Sequence, residues 1–193
     1  MNDRPSIWIR MYREVETWCT GRVWYGRAVL VGVFVWMGYH HLVDDRYWGL
    51  FGYLNLGIHE LGHMVFRPLG WFMYVLGGTL GQLLVPVISV FMFRRQRDYF
   101  ALTLSGAWLS TNLYNVATYM ADARARVLPL VTPFGKHAEH DWYKLFGHMG
   151  LLAYDTKIAA GVRVIAFVLM WGSVAAGAWM CYLMATRRKA ADG

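Results

Sequence analysis

Two histidines and a glutamate stand in the order His59-Glu60-Leu61-Gly62-His63, an H-E-x-x-H pattern inside an apolar stretch over residues 50–66. If that stretch is helical, the histidines at i and i+4 project from one face and can share a metal ion, and the intervening glutamate can reach a water on it. The chemistry this supports is hydrolysis: zinc lowers the pKa of a water it holds to near 7, and Glu60 takes the proton as general base before handing it to the leaving amine of a peptide bond. Burying a glutamate and two histidines among apolar residues costs several kcal/mol unless they are paired or ligated, which favours a metal over a chance arrangement. A catalytic zinc commonly takes three protein ligands and leaves a fourth position open, so one ligand must come from elsewhere in the chain.

The place to look for it is the polar connection over residues 122–160, which contains Pro129, Pro133 and Gly135 and should begin as irregular backbone. Loops of that length are often functional. This one carries His137, His140, Asp141 and His148. The third ligand is expected among His140, Asp141, His148 and Asp122, with His140 as the first choice. Asp141 beside it either orients an imidazole from outside or is itself the ligand. His40 and His41, next to Asp44 and Asp45, read as an interfacial pair instead.

These residues must be positioned by a membrane protein. The chain has 193 residues, of which 57% are hydrophobic, 17% aromatic and only 16% charged, too apolar for an ordinary soluble domain. Residues 71–93, 99–121 and 161–184 approach or exceed the roughly 20 apolar residues needed to cross a bilayer. Residues 23–43 add a fourth stretch, in which Arg27 can snorkel to the headgroups. Tryptophans 24, 48, 71 and 179 fall near the ends of these stretches, where amphipathic rings sit. The expected fold is therefore all-α: one polytopic membrane domain of about four transmembrane helices, plus a re-entrant or interfacial helix for the motif.

The net charge of +7 lies in short runs beside apolar stretches: arginines 4, 10, 13 and 22, then Arg94-Arg95-Gln96-Arg97, then Arg187-Arg188-Lys189. That grouping argues against nucleic acid as a partner and for positive-inside orientation. All three runs reach the cytoplasm only if residues 50–66 do not cross. At about 17 residues, broken by Gly49, Gly52 and Gly57 and stopped by Pro68, that stretch is at the short limit for a span. The topology then has both termini in the cytoplasm, residues 1–22 as an amphipathic surface segment, and residues 122–160 on the opposite side, with the motif. A bacterial inner membrane and contact with its lipids are expected. Cys19 and Cys181, near the cytoplasmic ends, should stay reduced.

Ile58-His59-Glu60-Leu61-Gly62-His63, followed by Ser105-Gly106-Ala107-Trp108-Leu109-Ser110 and Asn112 in a G-x-x-x-N/S/G-like arrangement, resembles the site-2 protease family of intramembrane zinc metallopeptidases over residues 50–115. The resemblance implies His59 and His63 as zinc ligands and Glu60 as the base. On the strength of the motif, the expected function is a membrane-embedded zinc protease that cuts a transmembrane or juxtamembrane peptide. The chain departs from the family at its later N-x-x-P-x-x-x-x-D-G segment, the source of that family's aspartate ligand. Asn112-Leu113-Tyr114-Asn115 has no proline, and Asp122 is followed by Ala123.

Two other functions compete with the protease. In one, a histidine-box di-iron enzyme acting on lipid uses His59, His63, His137, His140, His148 and the His40-His41 pair for two irons, although clustered H-x-x-H-H boxes are absent. In the other, the chain is a non-catalytic subunit of a larger membrane complex, with Gly77-x-x-x-Gly81, Gly172, Ala176 and Ala178 offering small-residue surfaces to partner helices.

Overall fold

Every apolar stretch of the sequence becomes one helix. The computed structural model describes residues 6–129 and 140–191, and among these there are seven α-helices and no strands. They are α1 (Ile7–Cys19), α2 (Tyr25–Val43), α3 (Gly52–Phe66), α4 (Trp71–Gln96), α5 (Tyr99–Ala121), α6 (Asp141–Met149) and α7 (Asp155–Ala191). Local chemistry sets several of the boundaries. Ser6 Oγ accepts from the Ile9 amide at the start of α1, and the Asp98 carboxylate accepts from Ala101 N at 3.0 Å at the start of α5. Pro68, in a single 3-10 turn, closes α3, because proline cannot continue the helical hydrogen bonds.

Helix α7 begins at Asp155, earlier than the apolar run from residue 161. The Asp155 carboxylate is buried and accepts from Thr156 N at 2.6 Å and from Arg124 N at 3.2 Å, while the Arg124 guanidinium pairs with it at 2.8 Å. A carboxylate satisfied in this way caps the exposed amides of a helix start, so polar residues can form the first turns.

Two helices, α4 and the run from Leu152 to Arg187, are long and apolar enough to cross a membrane. Helix α3, with 15 residues, is only about 22 Å long, short of the roughly 30 Å of a hydrocarbon core. Helix α5 lies at the centre. It meets α4 through Val75, Val116 and Met120, and meets α7 where Ser110 Oγ donates to the Ala166 carbonyl at 2.6 Å.

The bundle has two unlike ends. At one, Tyr99 donates to Glu14 at 2.7 Å and Arg187 pairs with Glu16, so α1, the α4–α5 turn with Arg94, Arg95 and Arg97, and the end of α7 come together. The described parts of all three basic runs are grouped there. At the other end, Asp45 pairs with Arg163 and Arg124 with Asp155.

Between α2 and α3 the chain dips into the bundle and returns. Thr118 Oγ1 donates to the Asp45 carbonyl at 2.9 Å, Asn115 Nδ2 to the Trp48 carbonyl at 3.4 Å, and Trp108 Nε1 to Asn55 Oδ1 at 3.0 Å. These three contacts step down α5 from its last turn to its middle. Helix α3 then climbs back until the His59 ring lies 6.3 Å from that of Tyr119. It covers only the half of α4 nearest this end.

Candidate metal centre

The i, i+4 spacing puts His59 and His63 on the inner face of α3, and each ring is held by its Nδ1. His59 Nδ1 lies 3.3 Å from Gln82 Oε1, and His63 Nδ1 lies 2.7 Å from the Tyr74 carbonyl. Both partners are acceptors, so Nδ1 carries the hydrogen on each ring and Nε2 is left with its lone pair. The two Nε2 atoms are 3.1 Å apart, and Asp141 Oδ2 is 3.1 Å from one and 3.2 Å from the other.

Three lone-pair donors thus face one another across a triangle. They would repel unless a cation, either a metal ion or a proton on one ring, sat among them. The edges are close to the roughly 3.3 Å separating two ligand atoms on a tetrahedral ion with bonds of about 2.0–2.1 Å. His59, His63 and Asp141 are the one group of at least three potential ligands among the described residues that could hold a metal ion. When a proton rather than a metal ion sits among them, an imidazolium Nε2 donates to Asp141 Oδ2; burial raises the Asp141 carboxyl, but this hydrogen bonding to His59 and His63 outweighs it and holds the group below the usual carboxylate range.

Glycines on α3 and α4 make this approach possible. A Cβ on Gly62 would lie 2.2 Å from the Gly77 carbonyl oxygen, and one on Gly78 would lie 2.5 Å from His59 Nε2 and 2.6 Å from His63 Nε2. The expectation that Gly77-x-x-x-Gly81 serves partner helices is therefore corrected: Gly77 packs on Phe66 and Gly62, and Gly81 on Ile58 and Gly62, all within this chain. Only backbones without side chains can come close enough for Gln82 and the Tyr74 carbonyl to meet the imidazoles.

His140, the first choice for third ligand, is not in the group; its neighbour Asp141 is. As N-cap of α6 it accepts the Tyr143 amide on Nδ1 at 3.2 Å, which leaves the Nε2 hydrogen facing Asp122 Oδ2 at 3.3 Å. Burial outweighs the field of Asp122 and holds its imidazole below the ordinary histidine range. The physical reason for the exchange is the helix start itself. A cap residue turns its side chain back onto its own helix, and the next residue is free to project forward. The Asp141 amide donates to the Tyr119 hydroxyl at 3.0 Å, and the Tyr119 ring lies 4.2 Å from that of His140, so the last turn of α5 seats both residues.

The remaining candidates lie apart from the group. Asp122 accepts from Val127 N at 2.9 Å and Leu128 N at 3.1 Å and is buried. His148 is exposed, beside Trp71 and Phe72. His41, expected at an interface, is buried with its ring stacked on Tyr114 at 4.5 Å. His137 falls outside the described residues. Gly106 and Ser110, the family-like motif, face α7 at Ser173 and Ala166, not the histidines. Glu60 is half-buried and has no hydrogen bond or ion pair among the described residues, yet its charge is felt at His63.

Sequence reasoning did not find Gln82, Tyr74, Gly78 or Tyr119. The crowding of Gly77, Gly78 and Gly81 on one apolar helix was the available signal for close packing, but nothing local marks its partner as α3. Compared with known family models, curated proteins and solved structures, the chain matches none.

Proposed function

We propose that this chain is a membrane-embedded zinc metalloprotease that hydrolyses a peptide bond in a transmembrane or juxtamembrane protein. The observation that carries the reading is the convergence of His59 Nε2, His63 Nε2 and Asp141 Oδ2 on the helix that carries Glu60, a glutamate with no hydrogen bond or ion pair among the described residues. Two imidazoles and one carboxylate, with their outward nitrogens held by a glutamine and a backbone carbonyl, form a donor set suited to catalytic zinc. When bound, zinc supplies Lewis acidity and acidifies water into the neutral range.

The chain's own residues do the rest. Glu60 accepts the proton of the attacking water and delivers it to the departing amine, a task for a carboxylate left unpaired among the described residues. The resemblance of Ile58–His63 to the site-2 protease motif supports the same roles. The donor set also suits a single non-haem iron. A second iron has no ligand group among the described residues, which weighs against the di-iron reading.

Elemental analysis of protein purified without chelators should give about one zinc per chain. Glu60→Gln should keep that zinc and lose turnover by about 10²- to 10⁴-fold, since it removes a base and not a ligand. Stoichiometric iron would count against the protease. Unchanged processing by Glu60→Gln would leave a non-catalytic, metal-holding subunit as the better reading.

In this proposal α2, α4, α5 and α7 cross the membrane, α3 is re-entrant, and the end gathering the basic runs is cytoplasmic, as in a bacterial inner membrane. That grouping supports it, because a single orientation satisfies all three runs. A reporter fused at Gln96 should read as cytoplasmic. A reading on the opposite face would mean that α3 crosses.

A further inference from the structure

We infer that the bond cut at this centre lies in a polar juxtamembrane segment of the substrate on the non-cytoplasmic side, outside the hydrocarbon core. The inference rests on the protease reading and concerns the depth of the site. Tyr119, which takes the Asp141 amide, is in the last turn of α5. Tyr74, whose carbonyl holds His63, is in the first turn of α4. At 1.5 Å per residue, about 30 Å of α5 separates Tyr119 from Tyr99, and about 30 Å of α4 separates Tyr74 from Arg94. That is a whole hydrocarbon thickness, and it lies between the triad and the basic end.

The triad's neighbours agree with that depth. Thr118, one residue before Tyr119, bonds to the Asp45 carbonyl and to Arg163, and Arg163 pairs at 2.5 Å with an Asp45 side chain that is 82% exposed. Just beyond the end of α5, the Arg124 side chain is half-exposed beside Asp155. Ionised, exposed groups at this level belong to headgroups and water, not to hydrocarbon. Trp71, at the start of α4, is half-exposed, as suits a ring at the interface.

The consequence is chemical. A helix unwound in hydrocarbon leaves amides and carbonyls unsatisfied at several kcal/mol each, whereas an extended segment at the interface has water for them. A centre at this depth needs no device for unwinding a span.

The test uses the full-length, zinc-loaded protein in phospholipid vesicles with single-span model proteins. Each carries eight randomised positions in one of three places: just outside the span on the face away from the arginine runs, in its centre, or just outside it on the arginine face. Fragments are mapped by mass spectrometry, with Glu60→Gln as the blank. Cleavage at the outer junction should exceed that at either other place by at least about tenfold. Equal or faster cleavage in the centre or on the arginine face would overturn the inference while leaving the protease intact. No cleavage at any of the three would remove the protease reading and the inference with it.

Discussion

Asp141→Ala should cost more zinc affinity than His140→Ala, although sequence reasoning favours the histidine as ligand. Asp141 Oδ2 is 3.1–3.2 Å from both Nε2 atoms, so its loss deprives the ion of one of three protein donors. His140 acts at one remove: it caps α6 and meets Asp122, and so sets the position of Asp141. Loss of such an outer group typically costs about 10- to 100-fold in affinity, and loss of the direct donor should exceed that range. His41→Ala, stacked on Tyr114 away from the group, should leave affinity unchanged. Competition against a chromogenic chelator measures all three. A larger loss from His140→Ala than from Asp141→Ala would restore the histidine as ligand and refute the geometry described above.

Gly78→Ala should abolish metal binding without unfolding the protein. The added methyl carbon would stand 2.5 Å from His59 Nε2, 2.6 Å from His59 Cε1 and 2.6 Å from His63 Nε2, inside any tolerable contact. One or both imidazoles must turn away, and Gln82 and the Tyr74 carbonyl then no longer aim the lone pairs inward. Alanine in place of glycine inside a helix favours the helix by up to about 1 kcal/mol, so α4 itself is not weakened. Helix content by circular dichroism and the thermal midpoint should be unchanged or higher, while zinc stoichiometry falls towards zero. Gly57→Ala is the control: its Cβ would meet nothing within 4 Å, and that variant should bind zinc like the parent. Wild-type zinc affinity in Gly78→Ala would show that the two helices do not approach as closely as described.

How much of this could be read along the chain follows from the range over which each interaction acts. The H-E-x-x-H spacing decides by itself that His59 and His63 share a face, because the helix repeat is a property of the backbone. The apolar stretches likewise determine where α2, α4, α5 and α7 run, and the short stretch ending at Pro68 determines that α3 is too short to span on its own. The charge runs foretold which ends would meet, since Arg94, Arg95, Arg97 and Arg187 stand together at one end with α1. The sequence also narrowed the candidates for a third ligand to a few residues, among them Asp141, which the fold places beside both histidines.

What it left open was which of His140, Asp141, His148 and Asp122 meets the two histidines, and only the tertiary structure brings Asp141 to them. His140 and Asp141 are equally able to ligate. Which one faces α3 depends on where α6 starts, on the Tyr119 hydroxyl that receives the Asp141 amide, and on Asp122 waiting for the His140 ring. The same holds for Gly78 and Gln82, on a different helix from the histidines they serve. Their roles exist only after α3 and α4 pack backbone to backbone, and that contact depends on which surfaces meet in space, a matter that no local periodicity encodes.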